Sequence, residues 1–266
     1  MLKKLLILAC ALPLFGCGTM SNGKRWGQDV TLIPGWTRLK DAFVGAVVEP
    51  ASWAPLAGAL ALQIGDADAD IADWAHEETP VFHSISAADE ASDFLKETAQ
   101  WAAWTTAILA PGGSEPMPWL VDKGKGFGIE YLAAEANNGL TEYLKGVSVR
   151  TRPDESDDKS FPSGHASIAA TYSTLGVRNV DAMTISDGAK TAAHAAFFAV
   201  DAGTAWGRVE AERHFPSDVL VGMAIGHFIA EFFSSAFLSL EKNDNPHLLV
   251  LTTGNDAMLG LSVTFE

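Results

Sequence analysis

Apolar positions recur at three- and four-residue spacing over most of the chain, the period of helices that bury one face. Leu39, Phe43, Val47 and Val48 follow Trp36 in this way, and Trp53 to Ile64 makes a second, more uniformly apolar helix. Further helices are expected at about 87–110, 127–145, 163–177, 187–211 and 216–240, punctuated by Pro111-Gly112-Gly113 and Pro116-Met117-Pro118. Only at the end do Leu248–Thr252 and Met258–Phe265, flanking Gly254-Asn255-Asp256, read as a short β-hairpin. The pattern predicts an all-α helical bundle with that hairpin appended.

The first residues follow a different logic. Lys3 and Lys4 precede an apolar run from Leu5 to Phe15, then small residues and Cys17, which is the build of an export signal. Leu14-Phe15-Gly16-Cys17 resembles a bacterial lipobox, with a bulkier second residue than usual. Residues 1–16 are therefore expected to be a lipoprotein signal peptide, with Cys17 as the lipidation site. Ordinary cleavage near Gly18 and an uncleaved anchor are the alternatives. Residues 17–34, including the polar stretch SNGKRWGQD, read as a tether, and 35–266 as a single domain. Both cysteines, Cys10 and Cys17, fall in the export segment, so the remaining domain must be stabilised by packing without an internal disulfide. Gly18 after Cys17, rather than Asp, favours a periplasm-facing lipoprotein of the outer membrane in a bacterial envelope.

Val219 to Leu240 is long enough to cross a bilayer, and Gly222-x-x-x-Gly226 allows close helix contact, but His227 and Glu231 count against a span. Ala192 to Trp206 is too short and carries Asp201. Core helices of a soluble bundle are the expectation. The formal net charge of −15 excludes a broad electrostatic footprint for nucleic acid. Any anionic ligand must meet a local basic pocket.

Three segments can build one. Lys145 with Arg152-Pro153, then Pro162-Ser163-Gly164-His165, then Arg208 with His214 and Asp218 supply what phosphate-ester hydrolysis needs: cations for the equatorial oxygens, a nucleophile and an acid for the leaving group. Ser163 is placed to cap a helix whose first N–H groups, at Gly164 and His165, form an anion site. His214 and Asp218 are one helical turn apart, so the carboxylate can accept an imidazole N–H and fix the tautomer. The other ring nitrogen is then available to attack phosphorus.

The ordered set Lys145-x6-Arg152-Pro153, Pro162-Ser163-Gly164-His165, Arg208-x5-His214-x3-Asp218 resembles the signature of the type 2 phosphatidic acid phosphatase superfamily, which includes bacterial class A acid phosphatases and vanadium haloperoxidases. The resemblance implies the helical bundle of that family and a phosphohistidine on His214, oriented by Asp218, with His165 protonating the leaving oxygen. Lys145, Arg152, Ser163, Gly164 and Arg208 would hold the phosphate. It implies no metal and no cofactor, and it makes the substrate a phosphate monoester or pyrophosphate, of an envelope lipid or of a small molecule. Two other readings are a vanadate-dependent haloperoxidase and a non-catalytic lipoprotein that keeps the fold. One position departs from the pattern: Gly207 stands where the family usually has serine, which removes a hydroxyl.

Asp66, Asp68, Asp70 and Glu77 have calcium-loop spacing, but Ile71 sits where that loop needs glycine, so a solvated acidic helix start is expected. Asp154, Glu155, Asp157 and Asp158 are expected to keep their loop in solvent. Trp101 and Trp104 read as core residues.

Overall fold

The computed structural model describes residues 18–240 and, as backbone, 247–253 and 256–262. The lipobox and Cys17 lie outside the described residues. The helices are α1 (Trp36–Val48), α2 (Pro50–Ala61), α3 (Ala67–Glu78), α4 (Ile85–Leu109), α5 (Pro116–Ser148), α6 (Gly164–Asp181), α7 (Asp187–Glu210) and α8 (Pro216–Phe233), the last continued by a π-turn at Ser234–Leu238. The backbones of β1 (His247–Thr253) and β2 (Asp256–Ser262) pair antiparallel, with Val250 opposite Leu259.

The helix α6 runs through the middle, covered by α4, α5, α7 and α8. Residues on every side of it are buried, from Ala166 to Val180, as expected of a helix with no solvent face. Small side chains let these neighbours come close: Ala99 and Ala103 on α4, Ala133 and Ala134 on α5, Ala169 on α6 and Ala230 on α8 form one core with Tyr172, Leu175 and Ile229. The glycine pair expected to allow close contact does so between α8 and α6. A Cβ on Gly222 would stand 2.5 Å from the Ser163 carbonyl oxygen, and one on Gly226 would stand 2.1 Å from that of Ser167. This approach sets the first turn of α6 against the first turn of α8, where Ser163 N donates to the Asp218 carbonyl at 3.0 Å.

Three expectations are corrected. The stretch from Gly18 read as a tether is docked: Trp26 is fully buried against Ala107, Ala110, Ile129 and Leu238. Its Nε1 donates to Asn179 at 2.8 Å, and its backbone N donates to Pro111 at 2.7 Å. Trp26 is the centre of the docking, joined by Met20, Val30 and the Arg25–Asp122 pair, and such scattered contacts leave no periodicity to read. Secondly, Pro116-Met117-Pro118 opens α5 rather than separating helices, because the first turn of a helix has no N–H bonds for proline to remove. The three glycines that follow, Gly124, Gly126 and Gly128, dilute the apolar pattern; a Cβ at Gly126 would lie 2.2 Å from the Trp26 ring. Thirdly, the acidic start of α3 is not solvated throughout, since Asp68 is buried with partners described below.

Candidate active site

The three motif segments converge at one end of the bundle, where the loop 149–163 joins α5 to α6 and the ends of α7 and α8 meet. His214 lies between the last two helices and is almost fully buried. Its Nδ1 is 2.6 Å from the carbonyl oxygen of Ser160. A carbonyl only accepts, so Nδ1 carries the proton and Nε2 keeps its lone pair. Burial, then the charges of Arg208 and Arg152, hold this imidazole well below the usual histidine range. It is neutral, with Nε2 unprotonated.

The orienting partner of His214 is thus a backbone carbonyl and not the Asp218 carboxylate. Asp218, fully buried, accepts instead from Ser160 Oγ at 2.6 Å, from Arg150 Nη1 at 2.6 Å and from the backbone N of Phe215 at 3.0 Å. Its role in the helix explains this. As the third residue of α8 it turns back onto the N-cap N–H of Phe215, a local bond that keeps it on the backbone side. It reaches His214 through Ser160, whose hydroxyl it holds and whose carbonyl holds the ring. Burial raises the Asp218 carboxyl, against the opposing pull of Ser160 and Arg150.

Arg150, absent from the sequence reading, ties this side together. Its Nη2 pairs with Asp68 at 2.8 Å, its Nη1 also donates to Ser217 at 2.9 Å, and its guanidinium stacks 4.1 Å over the Phe215 ring. Asp68 in turn accepts from the backbone N of Ser217 at 2.8 Å and from its hydroxyl. Burial works against that carboxylate, but Ser217 and Arg150 prevail and keep it below its ordinary range. At Asp68 the expected solvated helix start is replaced by a buried structural ion pair.

Ser163 caps α6, as its sequence position predicts, with Ala166 N donating to its hydroxyl. Lys145 Nζ approaches Gly164 so closely that a Cβ there would sit 3.2 Å away, which puts the ammonium at the N-terminus of α6. Arg208 is buried at the end of α7, donating through Nη1 to Asp89 and, at 3.2 Å, to Ser92 Oγ. Arg152 donates from Nε to Asp157 at 2.6 Å and from Nη1 to the Arg213 carbonyl at 3.2 Å. The loop acids are therefore not idle in solvent: Asp157 aims Arg152, and Asp154 pairs with Arg213 at 3.0 Å.

Arg152, Arg208 and His165 line a cavity of about 380 Å³ together with Arg213, Asp89, Asp93, Lys96, Ser156 and Asp157. His165 lies in its wall, with Nε2 2.7 Å from Asp93 and 3.1 Å from Lys96. Burial, then Arg208 and Lys96, push this imidazole down to about 4, against the pull of Asp93. Asp89, Ser92, Asp93 and Lys96 all lie on α4, at helical spacing, and none of them was singled out in the sequence. The one signal was the repeat of polar residues along an otherwise alanine-rich helix. Ser92 also answers the departure at Gly207. A Cβ on Gly207 would meet the Ser92 Cβ at 3.0 Å, so Ser92 approaches where a side chain at 207 would stand and brings its hydroxyl to Arg208.

The PAP2 superfamily profile matches residues 102–240, just over half of the chain, and the chain belongs to that family. Among solved structures, the chain is similar to a transmembrane PAP2-type phosphatidylglycerolphosphate phosphatase from Bacillus subtilis. The two share 19% identity, with a TM-score of 0.49 over 74% of this chain and 94% of the other. No curated protein matches the chain. No group of three or more potential metal ligands occurs among the described residues.

Proposed function

We propose that the protein is a phosphatase that transfers a phosphoryl group from a monoester or pyrophosphate to Nε2 of His214 and then to water. The observation that carries this reading is the Ser160 carbonyl on Nδ1 of His214, which leaves Nε2 unprotonated on a ring that feels the charge of buried Arg208. A nucleophile needs one tautomer with its lone pair exposed to phosphorus, and a fixed acceptor at the other nitrogen supplies it. Arg152, Arg208 and Lys145, with the N-terminus of α6, would neutralise the equatorial oxygens, and His165 would protonate the leaving oxygen.

The distribution of apolar residues supports a lipid substrate. Alanines fill the core, while Trp36, Phe94, Phe198 and Trp101, the last expected in the core but 63% exposed, are among the exposed large side chains. Exposed apolar surface of this kind is suited to contact with lipid. One described helix, Pro216–Leu238, is long and apolar enough to cross a membrane, with mean hydropathy 1.5 and half of it buried in the bundle. An anchor on Cys17 would place the domain at the same surface. Phosphate release from phosphatidate, prenyl pyrophosphate and a small aryl phosphate, measured in chelator, tests the mechanism. His214→Ala is expected to lose at least about 10³-fold in each case; undiminished turnover would sink it. Cys17→Ser is expected to abolish lipidation, read as the mass of the mature N-terminal peptide.

A further inference from the structure

Asp89, Ser92, Asp93 and Lys96 form one face of α4 directed at the pocket, N-terminal to the span that matches the family. We propose that Asp93 and Lys96 are positioning residues for the general acid, offering one ring nitrogen of His165 an acceptor when it is protonated and a donor when it is neutral. The proposal rests on His165 being the acid of the phosphatase reading.

The geometry is a triangle. Nε2 of His165 lies 2.7 Å from Asp93 Oδ1 and 3.1 Å from Lys96 Nζ, and the Lys96 and Asp93 atoms are 3.0 Å apart. An ammonium has donors and no lone pair, so Lys96 can bond Nε2 only when that nitrogen carries no proton. A carboxylate only accepts, so Asp93 can bond Nε2 only when it does carry one. Each protonation state therefore finds its partner without rotation of the ring. The Asp93 side chain is 56% exposed, more than those of Lys96 and His165. It is the partner that a leaving oxygen can displace.

The proton balance follows. As His214 Nε2 bonds to phosphorus and the bond to the leaving oxygen breaks, the Nε2 proton of His165 passes to that oxygen. The emptied nitrogen accepts from Lys96. Water then attacks the phosphohistidine, the P–N electron pair returns to His214, and the water proton goes to Nε2 of His165, which donates again to Asp93. The other charges lining the pocket with His165 are Asp89 from α4, Arg208 at the end of α7, Arg213 just beyond it, and Arg152 and Asp157 from the loop, while Lys145 of α5 stands at the neighbouring Gly164. Burial, then the charges of Arg208 and Lys96, hold the ring below its ordinary range; a phosphate dianion offsets the cations and lets Asp93 draw the proton on.

The test compares Asp93→Asn and Lys96→Met in the full-length protein, using an alkyl phosphate and p-nitrophenyl phosphate. The alkaline limb of kcat/KM for the alkyl ester is expected to move to lower pH in Asp93→Asn and to higher pH in Lys96→Met. Asp93→Asn should lose about 10- to 100-fold on the alkyl ester. It should lose far less on the aryl ester, because nitrophenolate departs without a proton. A limb that stays in place in both variants, or moves the same way in both, overturns the proposal, as does equal loss on both esters. NMR titration of His165 reads the same opposite shifts without turnover, so a poorly active variant still decides. Wild-type protein that releases no phosphate overturns the phosphatase reading itself; an active wild type with unmoved limbs overturns only the roles of Asp93 and Lys96.

Discussion

His214 and His165 stand among the same cations, yet the fold holds them by opposite means. His214 is buried, and its ring is fixed by a backbone carbonyl that can only accept. His165 is about one-third exposed and is held by two partly exposed side chains of opposite charge. The difference matches what each would have to do. A nucleophile must keep one tautomer and one position, so a partner that cannot move or titrate is an advantage. An acid must give up a proton and recover it, so its partners must tolerate both states.

The comparison breaks most readily at Arg150, which belongs only to the nucleophile side. Arg150→Met would leave the carboxylates of Asp218 and Asp68 without their cation. Because Arg150 is itself partly exposed, the cost is about 2–4 kcal/mol, at or below the range for an unpaired buried charge. Urea unfolding measures that loss. Turnover should fall at least about 100-fold as Ser160 and His214 lose register, while the alkaline limb assigned to His165 stays in place. A full-activity, full-stability variant would show that Asp218 needs no cation to hold Ser160.

Gly222→Ala is a milder test of the same side. The added Cβ meets the Ser163 carbonyl at 2.5 Å, so α6 must retreat from α8 and the bond from Ser163 N to the Asp218 carbonyl lengthens. Overpacking of this kind costs about 1–3 kcal/mol. Both histidines ride on segments that this contact sets, so both should suffer, in contrast to Arg150→Met. Loss of activity on aryl as well as alkyl esters is the expected signature.

The surroundings of His214 were only partly legible in sequence, and those of His165 less so. Lys145, Arg152, Ser163, Arg208 and His214 sit in short motifs whose chemistry is local, and the helical period placed α6, α7 and α8 within a few residues of their observed bounds. Asp93 and Lys96 are separated from His165 by about 70 residues of chain, and only the packing of α4 beside α6 unites them. Asp218 was read as a side-chain partner for His214 because four residues make one turn. The local capping bond to Phe215 and the ion pair with Arg150 take its oxygens instead. Trp26 and Asp68 were missed for the same reason: each is a single residue whose partners are distant in the chain, so it leaves no repeat in the sequence.

A third region provides the contrast in which neither histidine takes part. Glu130 lies fifteen residues before Lys145 on α5, about 22 Å along the helix. It is fully buried, accepts from Asn179 Nδ2 at 2.7 Å, and is pushed up to about 8 by burial. Nearby Lys123 is pushed down to about 7 by burial, although the carbonyls of Ala107 and Ala110 and the face of Trp26 all favour its ammonium. The two shifts act in different pH windows. A carboxyl raised from 4.5 contributes most to stability below about pH 4.5, and that contribution drains away as pH rises to about 8. An amine lowered from 10.5 contributes above about pH 10.5, and its contribution is lost as pH falls to about 7. Of these two groups only Glu130 contributes a slope between pH 5 and 7; Asp201, raised to about 7 by burial, shares that window but is common to wild type and a Glu130 variant. Glu130→Gln keeps an oxygen for Asn179 and removes the titration, so wild type should lose about 1–2 kcal/mol relative to the variant across that interval, read from urea midpoints. The variant's kcat/KM profile should coincide with that of wild type. A shifted limb would mean that the His165 proton is tuned from across the bundle, and the distinction between a fixed nucleophile and a locally tuned acid would fail.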